Sequence, residues 1–303
     1  MGAVDCHVAS CAIASDALTA PGQILWESLV FRTGRGLSPS QAGSPWPRKG
    51  YHLLVIAIVP AAGRGTRMMA VTGGMPKELL PLGSRCVLAR IIEEAREAGF
   101  DGAVVVNARS KPEVDEAVLK WSTTMFADFP VRIEYQDEAR GLAHAVAAAR
   151  VDDDAVIMVG DVVYGGGSPI ERMANLIHRG IDGCVAVEAV QEAQMHLYGI
   201  VDVDEASGSI SRILEKPSPD QTASRWAVAS RWAFSKQSMA YIGDYCSDPV
   251  RLANPKEIFL TEIINAAIAL GMDYKAVALQ PGQERIDCGG VAEYEAAKRM
   301  RWN

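Results

Sequence analysis

An apolar segment that leads directly into a glycine-bearing loop constrains the fold of this chain more than any other feature. Residues Leu53 to Val59 are apolar, mostly leucine or β-branched, and carry no charge, which is typical of a strand buried on both faces of a parallel sheet. The loop that follows contains Gly63 and Gly65. We therefore expect this loop at the carboxyl end of a strand, where open α/β sheets bind their ligands.

The spacing of these glycines indicates a phosphate site but excludes two common motifs. Glycines let backbone N–H groups approach a phosphate closely, and Arg67 and Lys77 add positive charge nearby. A dinucleotide fingerprint needs a third glycine where the chain has Met68, and a P-loop needs a Gly-Lys-Ser/Thr sequence that the chain lacks. The loop thus predicts a nucleotide site of another kind, and a flexible turn is the alternative that the loop alone leaves open.

The composition narrows the class of protein. Of the 303 residues, 49% are hydrophobic and 22% are charged, enough for one large globular domain. The longest apolar run, about Leu53 to Ala62, is too short for a membrane span, and the net charge of −7 argues against a nucleic-acid-binding face. Six cysteines without a CxxC pair predict reduced thiols and a cytoplasmic protein.

Residues 1–50 differ from the rest of the chain. The stretch from Thr33 to Gly50 is rich in Gly, Ser and Pro and ends with a basic pair. We expect a loosely ordered N-terminal extension that is dispensable for catalysis, with residues 51–303 forming the catalytic domain. A packed arm at a subunit contact is the alternative.

Hydrophobic periodicity from Leu53 onward alternates between strands and helices. This alternation predicts βαβ units, hence a Rossmann-like mixed, mostly parallel sheet flanked by helices. Four later strands with short connections predict a smaller mixed β extension that covers a substrate. The predicted strands are Leu53–Val59, Ala103–Val106, Val131–Tyr135, Ala155–Val159, Cys184–Val190, Tyr198–Val203, Ile210–Leu214, Trp226–Phe234 and Tyr274–Leu279. The predicted helices are Val87–Ala98, Glu113–Trp121, Leu142–Arg150, Pro255–Leu270 and Val291–Met300.

Two aspartates are candidate ligands for Mg²⁺. Asp161 lies just beyond a predicted buried strand, at the same sheet edge as the glycine loop, and Asp287 is followed closely by two glycines. Mg²⁺ usually takes one or two protein carboxylates and keeps water or phosphate in the rest of its shell. A polar end to the strand at Asp161 and a helix cap at Asp287 are the structural alternatives.

Several motifs in sequence order resemble the sugar-phosphate nucleotidylyltransferases. The sequence Gly63-x-Gly65-Thr66-Arg67, followed by Pro76-Lys77-Glu78-x-Leu-Pro, is most similar to the branch that uses UTP and glucose 1-phosphate. This resemblance implies that Arg67 binds the departing phosphates, that Lys77 bridges the reacting phosphates, and that Asp161 and Asp287 hold Mg²⁺. The loop residues implied to bind the nucleotide are Ala61, Ala62, Gly63, Gly65 and Thr66.

The resemblance continues to the end of the chain. Gln136-x4-Gly141-Leu142-Ala143-His144 matches the segment in which the Gln and first Gly meet the pyrimidine, and His144 is interpreted as a structural residue. Glu215-Lys216-Pro217 matches the family's Glu-Lys-Pro, which implies that Glu215 accepts sugar hydroxyls and Lys216 meets the sugar phosphate. Gly199 is implied to present its backbone beside the sugar. The similar stretch runs from about Ile56 to Ala297.

The implied activity is transfer of a nucleotidyl group from a nucleoside triphosphate, UTP by resemblance, to a sugar 1-phosphate such as glucose 1-phosphate, with Mg²⁺ as cofactor. Family members commonly self-associate, so a homo-oligomer is expected. The chain departs from the family at Gly73, where uridylyltransferases usually have Lys, and at Ala70, where they usually have Pro. Two alternatives therefore stay open: nucleotidyl transfer with another base or sugar, and a catalytically silent regulatory relative.

Overall fold

The computed structural model of the protein describes residues 54–253 and 256–302. The strands, in chain order, are β1 (Val55–Pro60), β2 (Pro81–Leu82), β3 (Arg85–Cys86), β4 (Gly102–Asn107), β5 (Val131–Tyr135), β6 (Asp154–Met158), β7 (Val162–Gly165), β8 (Gly183–Ala189), β9 (Gly199–Val203), β10 (Ile210–Glu215), β11 (Trp226–Phe234), β12 (Tyr274–Ala278) and β13 (Glu284–Asp287). The helices are α1 (Met69–Thr72), α2 (Val87–Glu97), α3 (Pro112–Ser122), α4 (Leu142–Ala148), α5 (Ile170–His178), α6 (Lys236–Ser247), α7 (Pro249–Leu252), α8 (Leu260–Ala269) and α9 (Val291–Lys298). Short 3-10 helices cover Thr66–Met68, Lys77–Leu79 and Glu192–Leu197.

A mixed nine-stranded sheet forms the centre of the described residues. Its parallel part joins β6, β1, β4 and β5, in that order. β11 runs antiparallel to β6, β8 and β9, and β9 pairs with β10 in antiparallel register. The pairing of the strands therefore changes from parallel to antiparallel at β11. The predicted fold class, a Rossmann-like mixed sheet with a smaller β extension, is confirmed.

The side chains of β1 alternate between two cores, one on each face of the sheet. Val55, Ala57 and Val59 join the apolar cluster that includes the inward face of α2, whereas Ile56 and Ile58 join the cluster that includes α4. This period-2 alternation with apolar residues on both faces is what a central parallel strand requires. The rigid strand delivers the glycine loop to a fixed position at its carboxyl end.

A second, two-stranded sheet pairs β13 with β7 in antiparallel register, so that Asp287 lies opposite Val162. Cys288 then donates its backbone N–H to the carbonyl of Asp161 over 2.7 Å. Neither strand follows from the hydrophobic pattern of the sequence, because both are only four residues long. Their pairing is nevertheless what brings the two candidate aspartates together.

Some predicted boundaries differ from the structure or lie outside it. The helix predicted over Pro255–Leu270 begins at Leu260, because Ile258 instead donates its backbone N–H to the carbonyl of Arg140 over 3.0 Å. Helices α5 and α6 were not predicted. Residues 1–50, Leu53 and Pro255 lie outside the described residues. Within the described ranges, none of the helices combines the length and apolar character needed to cross a membrane.

Candidate active site

Lys77 and Asp161 form an ion pair between the lysine Nζ and the carboxylate Oδ2 at the carboxyl edge of the sheet. Both side chains are largely buried, each 14% exposed. Lys77 begins the 3-10 helix after the glycine loop, and Asp161 follows β6. The two residues line a cavity of about 300 Å³ together with Gly63. Charged groups of the phosphate-loop segment and of the neighbouring strand therefore meet in one cleft.

The carboxylates of Asp161 and Asp287 both lie beside Gly289. A Cβ built on Gly289 would lie 2.6 Å from Asp161 Oδ2 and 3.0 Å from Asp287 Oδ1, so both carboxylates pack against the same α-carbon. Asp287 Oδ1 also accepts a hydrogen bond from the Gly289 N–H, 2.7 Å away. Asp287 therefore ends β13, its carboxylate accepts a hydrogen bond from the following loop, and both aspartates approach the same glycine.

Arg67 lines a second cavity, of about 230 Å³, which adjoins the first. Its walls include Gly65, Thr66 and Gly289, and it shares Gly63 and Lys77 with the larger cavity. Gly65 adopts a left-handed conformation with φ of +62° at the start of the 3-10 helix. The glycine loop with Arg64 and Arg67, together with Lys77, thus lines a space suited to the phosphates of a nucleotide.

The pyrimidine end of the predicted site is built around Gln136, which is 8% exposed. Its backbone N–H donates to Asn107 at the end of β4, and its side-chain Nε2 donates to the Gly141 carbonyl over 3.0 Å. The same Nε2 lies 3.2 Å from Nδ1 of His144. Burial lowers the pKa of His144, with Arg140 nearby adding to the effect. His144 therefore contacts the Gln136 amide, and its structural role stays a prediction.

Gly141 starts α4 with φ of +89° and has Glu257 directly against it. A Cβ at Gly141 would overlap Cγ of Glu257. Glu257 lines the 300 Å³ cavity beside Gln136 and Asp161. The sequence motifs did not identify Glu257, because it belongs to an irregular segment before α8 whose place beside Gly141 follows only from the tertiary fold.

The predicted sugar-phosphate residues also come together. Glu215 pairs with Gly199 across β9 and β10, and a Cβ at Gly199 would lie 3.4 Å from Glu215 Oε2. Lys216 donates its backbone N–H to the Tyr198 carbonyl over 2.9 Å. Burial raises the pKa of Glu215, Lys216 opposes the rise, and the charge of Glu257 adds to it. Glu257 thus packs against Gly141 at the pyrimidine end, and its charge also acts on Glu215 at the sugar end.

A match to known proteins settles the family. Residues 56–298 match the model of the family described as "Nucleotidyl transferase". The chain belongs to the nucleotidyl transferase family. The match covers the glycine loop, both aspartates and every strand of the central sheet except part of β1.

Individual relatives agree with this assignment. A UTP–glucose-1-phosphate uridylyltransferase from Staphylococcus saprophyticus is 30% identical over 214 residues, which cover 61% of this chain and 73% of that protein. A solved UTP-bound UGPase from Acinetobacter baumannii superposes with a TM-score of 0.67 at 25% identity and covers 81% of this chain and 92% of its own. A putative glucose-1-phosphate thymidylyltransferase from Bacillus anthracis reaches a TM-score of 0.68 at 17% identity, covering 82% and 97%. The last likeness shows the fold alone.

Lys111 of this nucleotidyl transferase also escaped the sequence interpretation. Lys111, just before α3, donates to the carbonyl of Ala61 over 2.8 Å and to both carboxylate oxygens of Glu78. The sequence did contain a clue to Lys111, because this residue follows β4, which lies next to β1 and ends at the same edge of the sheet. A lysine in a loop is common enough, however, that only the fold distinguishes this one.

Gly73, the main departure from the uridylyltransferase pattern, ends α1 in a left-handed conformation. Its φ is +58°, and its N–H donates to the Met69 carbonyl over 3.2 Å. A lysine in this conformation would be strained by its Cβ. The local backbone is thus adapted to glycine at the position where relatives usually place a charge.

Proposed function

We propose that this nucleotidyl transferase transfers a uridylyl group from UTP to glucose 1-phosphate, which gives UDP-glucose for nucleotide-sugar biosynthesis and releases pyrophosphate. The observation that carries the proposal is the convergence of Lys77, Asp161 and Asp287 on the glycine loop. The names of the S. saprophyticus and A. baumannii relatives support the choice of UTP and glucose 1-phosphate.

The reaction is an in-line attack by an oxygen of the sugar phosphate on the α-phosphorus of the triphosphate. The new P–O bond forms as the bond to the β-phosphate oxygen breaks, and pyrophosphate leaves. The attacking oxygen is already anionic near neutral pH, so no general base is needed. The protein must instead bring two polyanions together, by positioning and by neutralising charge.

The chain supplies charge on both sides of the reacting phosphorus. Backbone N–H groups of Ala62, Gly63, Gly65 and Thr66 face the triphosphate, whereas Ala61, whose N–H donates to the Val106 carbonyl over 2.8 Å, fixes the start of the loop. Arg67 binds the β- and γ-phosphates that leave. Lys77 exchanges its partner Asp161 for the reacting phosphates, and because Lys77 is held in the cleft before substrate binds, this exchange needs only a short movement of the ammonium.

A divalent cation fits the two carboxylates. Within the described ranges, no group of three or more His, Cys, Asp or Glu side chains could hold a metal by itself. Two aspartates against Gly289 suit Mg²⁺, which takes few protein carboxylates and completes its shell with water and phosphate. Asp161 and Asp287 would hold Mg²⁺, which neutralises charge on the phosphates when bound.

Base and sugar are recognised on opposite sides of the reacting phosphates. Gln136 and the backbone of Gly141 meet the uracil edge, which needs both donors and acceptors and so suits an amide. Glu215 accepts the sugar hydroxyls, the backbone of Gly199 lies beside the sugar, and Lys216 meets its phosphate.

We further propose a homo-oligomer in the cytoplasm, as the family resemblance implies.

A second candidate function is that of a silent relative that binds nucleotide or sugar phosphate for regulation. Gly73 favours it, because a phosphate-site charge usual in the uridylyltransferases is missing. Transfer with another base, such as thymidylyl transfer, is the closest alternative within the same chemistry, and the shared fold of the B. anthracis protein does not distinguish it.

Pyrophosphate release measured over a panel of nucleoside triphosphates and sugar 1-phosphates tests the proposal. Release with UTP and glucose 1-phosphate that exceeds every other pair supports it. Release that is greatest with dTTP assigns the chain to thymidylyl transfer instead. No release with any pair, from protein that still binds UTP, favours the silent relative.

A further inference from the structure

We infer that Lys111 is a positioning residue, which fixes the nucleotide loop and the Lys77 segment relative to each other. The inference rests on the proposed function for its kinetic consequences. Three observations carry it: the attachment of the Lys111 backbone to the sheet, the position of its ammonium between two protein acceptors, and the two segments that the ammonium joins.

The backbone of Lys111 is held on both sides. Its N–H donates to the Ala108 carbonyl over 2.9 Å, and its own carbonyl accepts from Nδ2 of Asn107 over 2.9 Å. Asn107 is fully buried at the end of β4, and its Nδ2 also donates to Asp115 in α3. The side chain therefore starts from a fixed point on the sheet.

The ammonium of Lys111 lies between two protein acceptors, a backbone carbonyl and a carboxylate. Nζ lies 2.8 Å from the Ala61 carbonyl, and 3.1 Å and 3.0 Å from Oε1 and Oε2 of Glu78. A lysine ammonium has three donors and no acceptor. Lys111, whose side chain is 11% exposed, thus directs at least two of its donors to Ala61 and Glu78 and acts through them.

The two partners belong to the two halves of the phosphate site. Ala61 begins the glycine loop, and its N–H is held by the Val106 carbonyl of β4 over 2.8 Å. Glu78 follows Lys77 in the short 3-10 helix. Lys111 therefore joins the loop that faces the triphosphate to the helix that carries the ammonium paired with Asp161.

The ion pair with Lys111 also offsets the cost of burying the Glu78 carboxylate. Glu78 is 1% exposed, burial raises its pKa, and Lys111 is the strongest influence that lowers it. Removing Lys111 alone would leave a buried carboxylate without its cation, which destabilises a fold independently of any effect on the site. A test of positioning must therefore remove both charges together.

The decisive variant is Lys111→Met combined with Glu78→Gln, and Lys111→Gln combined with Glu78→Gln serves as a milder second variant that keeps an amide donor at position 111. Arg132→Met is the matched control, because Arg132 is also half-buried and donates to backbone carbonyls, those of Ala149 and Arg150, away from the site. Each full-length variant is compared with the wild type by melting temperature, by kcat and KM for UTP, and by hydrogen exchange of the backbone over residues 61–68.

We expect the double variant to raise KM for UTP and lower kcat by about tenfold each, because displacements of about 1 Å at a reacting centre can cost a hundredfold. Amides of the loop should exchange faster than in the wild type, the double variant with Lys111→Gln should give an intermediate effect, and Arg132→Met should change neither kinetics nor loop exchange. Wild-type kinetics and loop exchange in the double variant, or equal effects in Arg132→Met, would overturn the inference. A wild-type protein without uridylyl transfer would refute the proposed function instead, and the loop exchange would still test Lys111.

Discussion

The backbone N–H of Cys288 donates to the carbonyl of Asp161 over 2.7 Å. This hydrogen bond joins the segment that holds Asp161 to the segment that holds Asp287. Asp161 precedes β7, Asp287 ends β13, and the antiparallel pairing of these strands sets the separation of the carboxylates. The geometry of the proposed Mg²⁺ site thus depends on a short sheet outside the central one.

Replacing either aspartate by asparagine should abolish most activity while the fold persists. Asp161→Asn and Asp287→Asn each remove one charge without changing shape, and we expect turnover to fall by about 10² to 10³, as when one preorganised charge contact is lost. The melting temperature should stay close to that of the wild type, but the stabilisation by UTP with Mg²⁺ should disappear. Near-normal turnover of both variants would contradict the metal assignment.

Gly289→Ala should lower turnover by displacing a carboxylate. The added Cβ would lie 2.6 Å from Asp161 Oδ2, which is too close for a non-bonded contact, so the Asp161 side chain must move. Gly243→Ala in α6 is the control, since a Cβ there meets nothing within 4 Å and should stabilise the helix by about 0.5 to 1 kcal/mol. Steady-state kinetics of both variants check this, and unchanged turnover in Gly289→Ala would count against the role of Asp161.

Gly141→Ala should weaken UTP binding more than it weakens sugar-phosphate binding. The new Cβ would overlap Glu257, and the residue would have to keep φ of +89°, which is unfavourable for alanine. We expect KM for UTP to rise at least severalfold, while KM for glucose 1-phosphate changes little. An equal rise in both constants would show that Gly141 is not specific to the nucleotide end.

Restoring the lysine that relatives usually carry at Gly73 should not increase activity. The left-handed backbone at φ of +58° would strain Lys by about 1 to 2 kcal/mol, which corresponds to a lower melting temperature of several degrees. Gly73→Asn is the control, because asparagine tolerates this conformation better. A tenfold gain in turnover for Gly73→Lys would mean that the missing charge limits this enzyme.

The thiol of Cys288 should resist alkylation despite its place between the two carboxylate segments. Burial raises its pKa to about 12, and the charges of Asp287 and Asp161 add to the rise. Since the thiolate is the reactive form, Cys288 should stay unmodified by iodoacetamide at pH 8 in the folded protein and become modified after denaturation. Peptide mass spectrometry measures both states, and rapid modification of the folded form would contradict the burial of this loop.

The sequence predicted the parts of the site that depend on local patterns. The strand before Gly63, the loop itself and the position of Asp161 after β6 all follow from apolar periodicity and glycine spacing, and the fold confirms their arrangement. The roles assigned to these residues stay predictions until the variants are measured.

What the sequence did not reveal depends on contacts between distant segments. Lys111 reaches Glu78 and Ala61 only because β4 lies next to β1 in the sheet. Glu257 comes beside Gly141 because Ile258 bonds to Arg140 rather than starting a helix. The β7–β13 pairing involves strands too short to produce a recognisable period. In each case the decisive interaction has no signature within a single stretch of sequence.

The most direct test of the account is a single-turnover reaction with UTP labelled at the α-phosphorus, glucose 1-phosphate and Mg²⁺. We predict that the label appears in UDP-glucose, that the pyrophosphate released is unlabelled, and that Asp161→Asn slows both equally. Label that remains in UTP, or that appears in UMP or UDP without any sugar nucleotide, would contradict nucleotidyl transfer to a sugar phosphate.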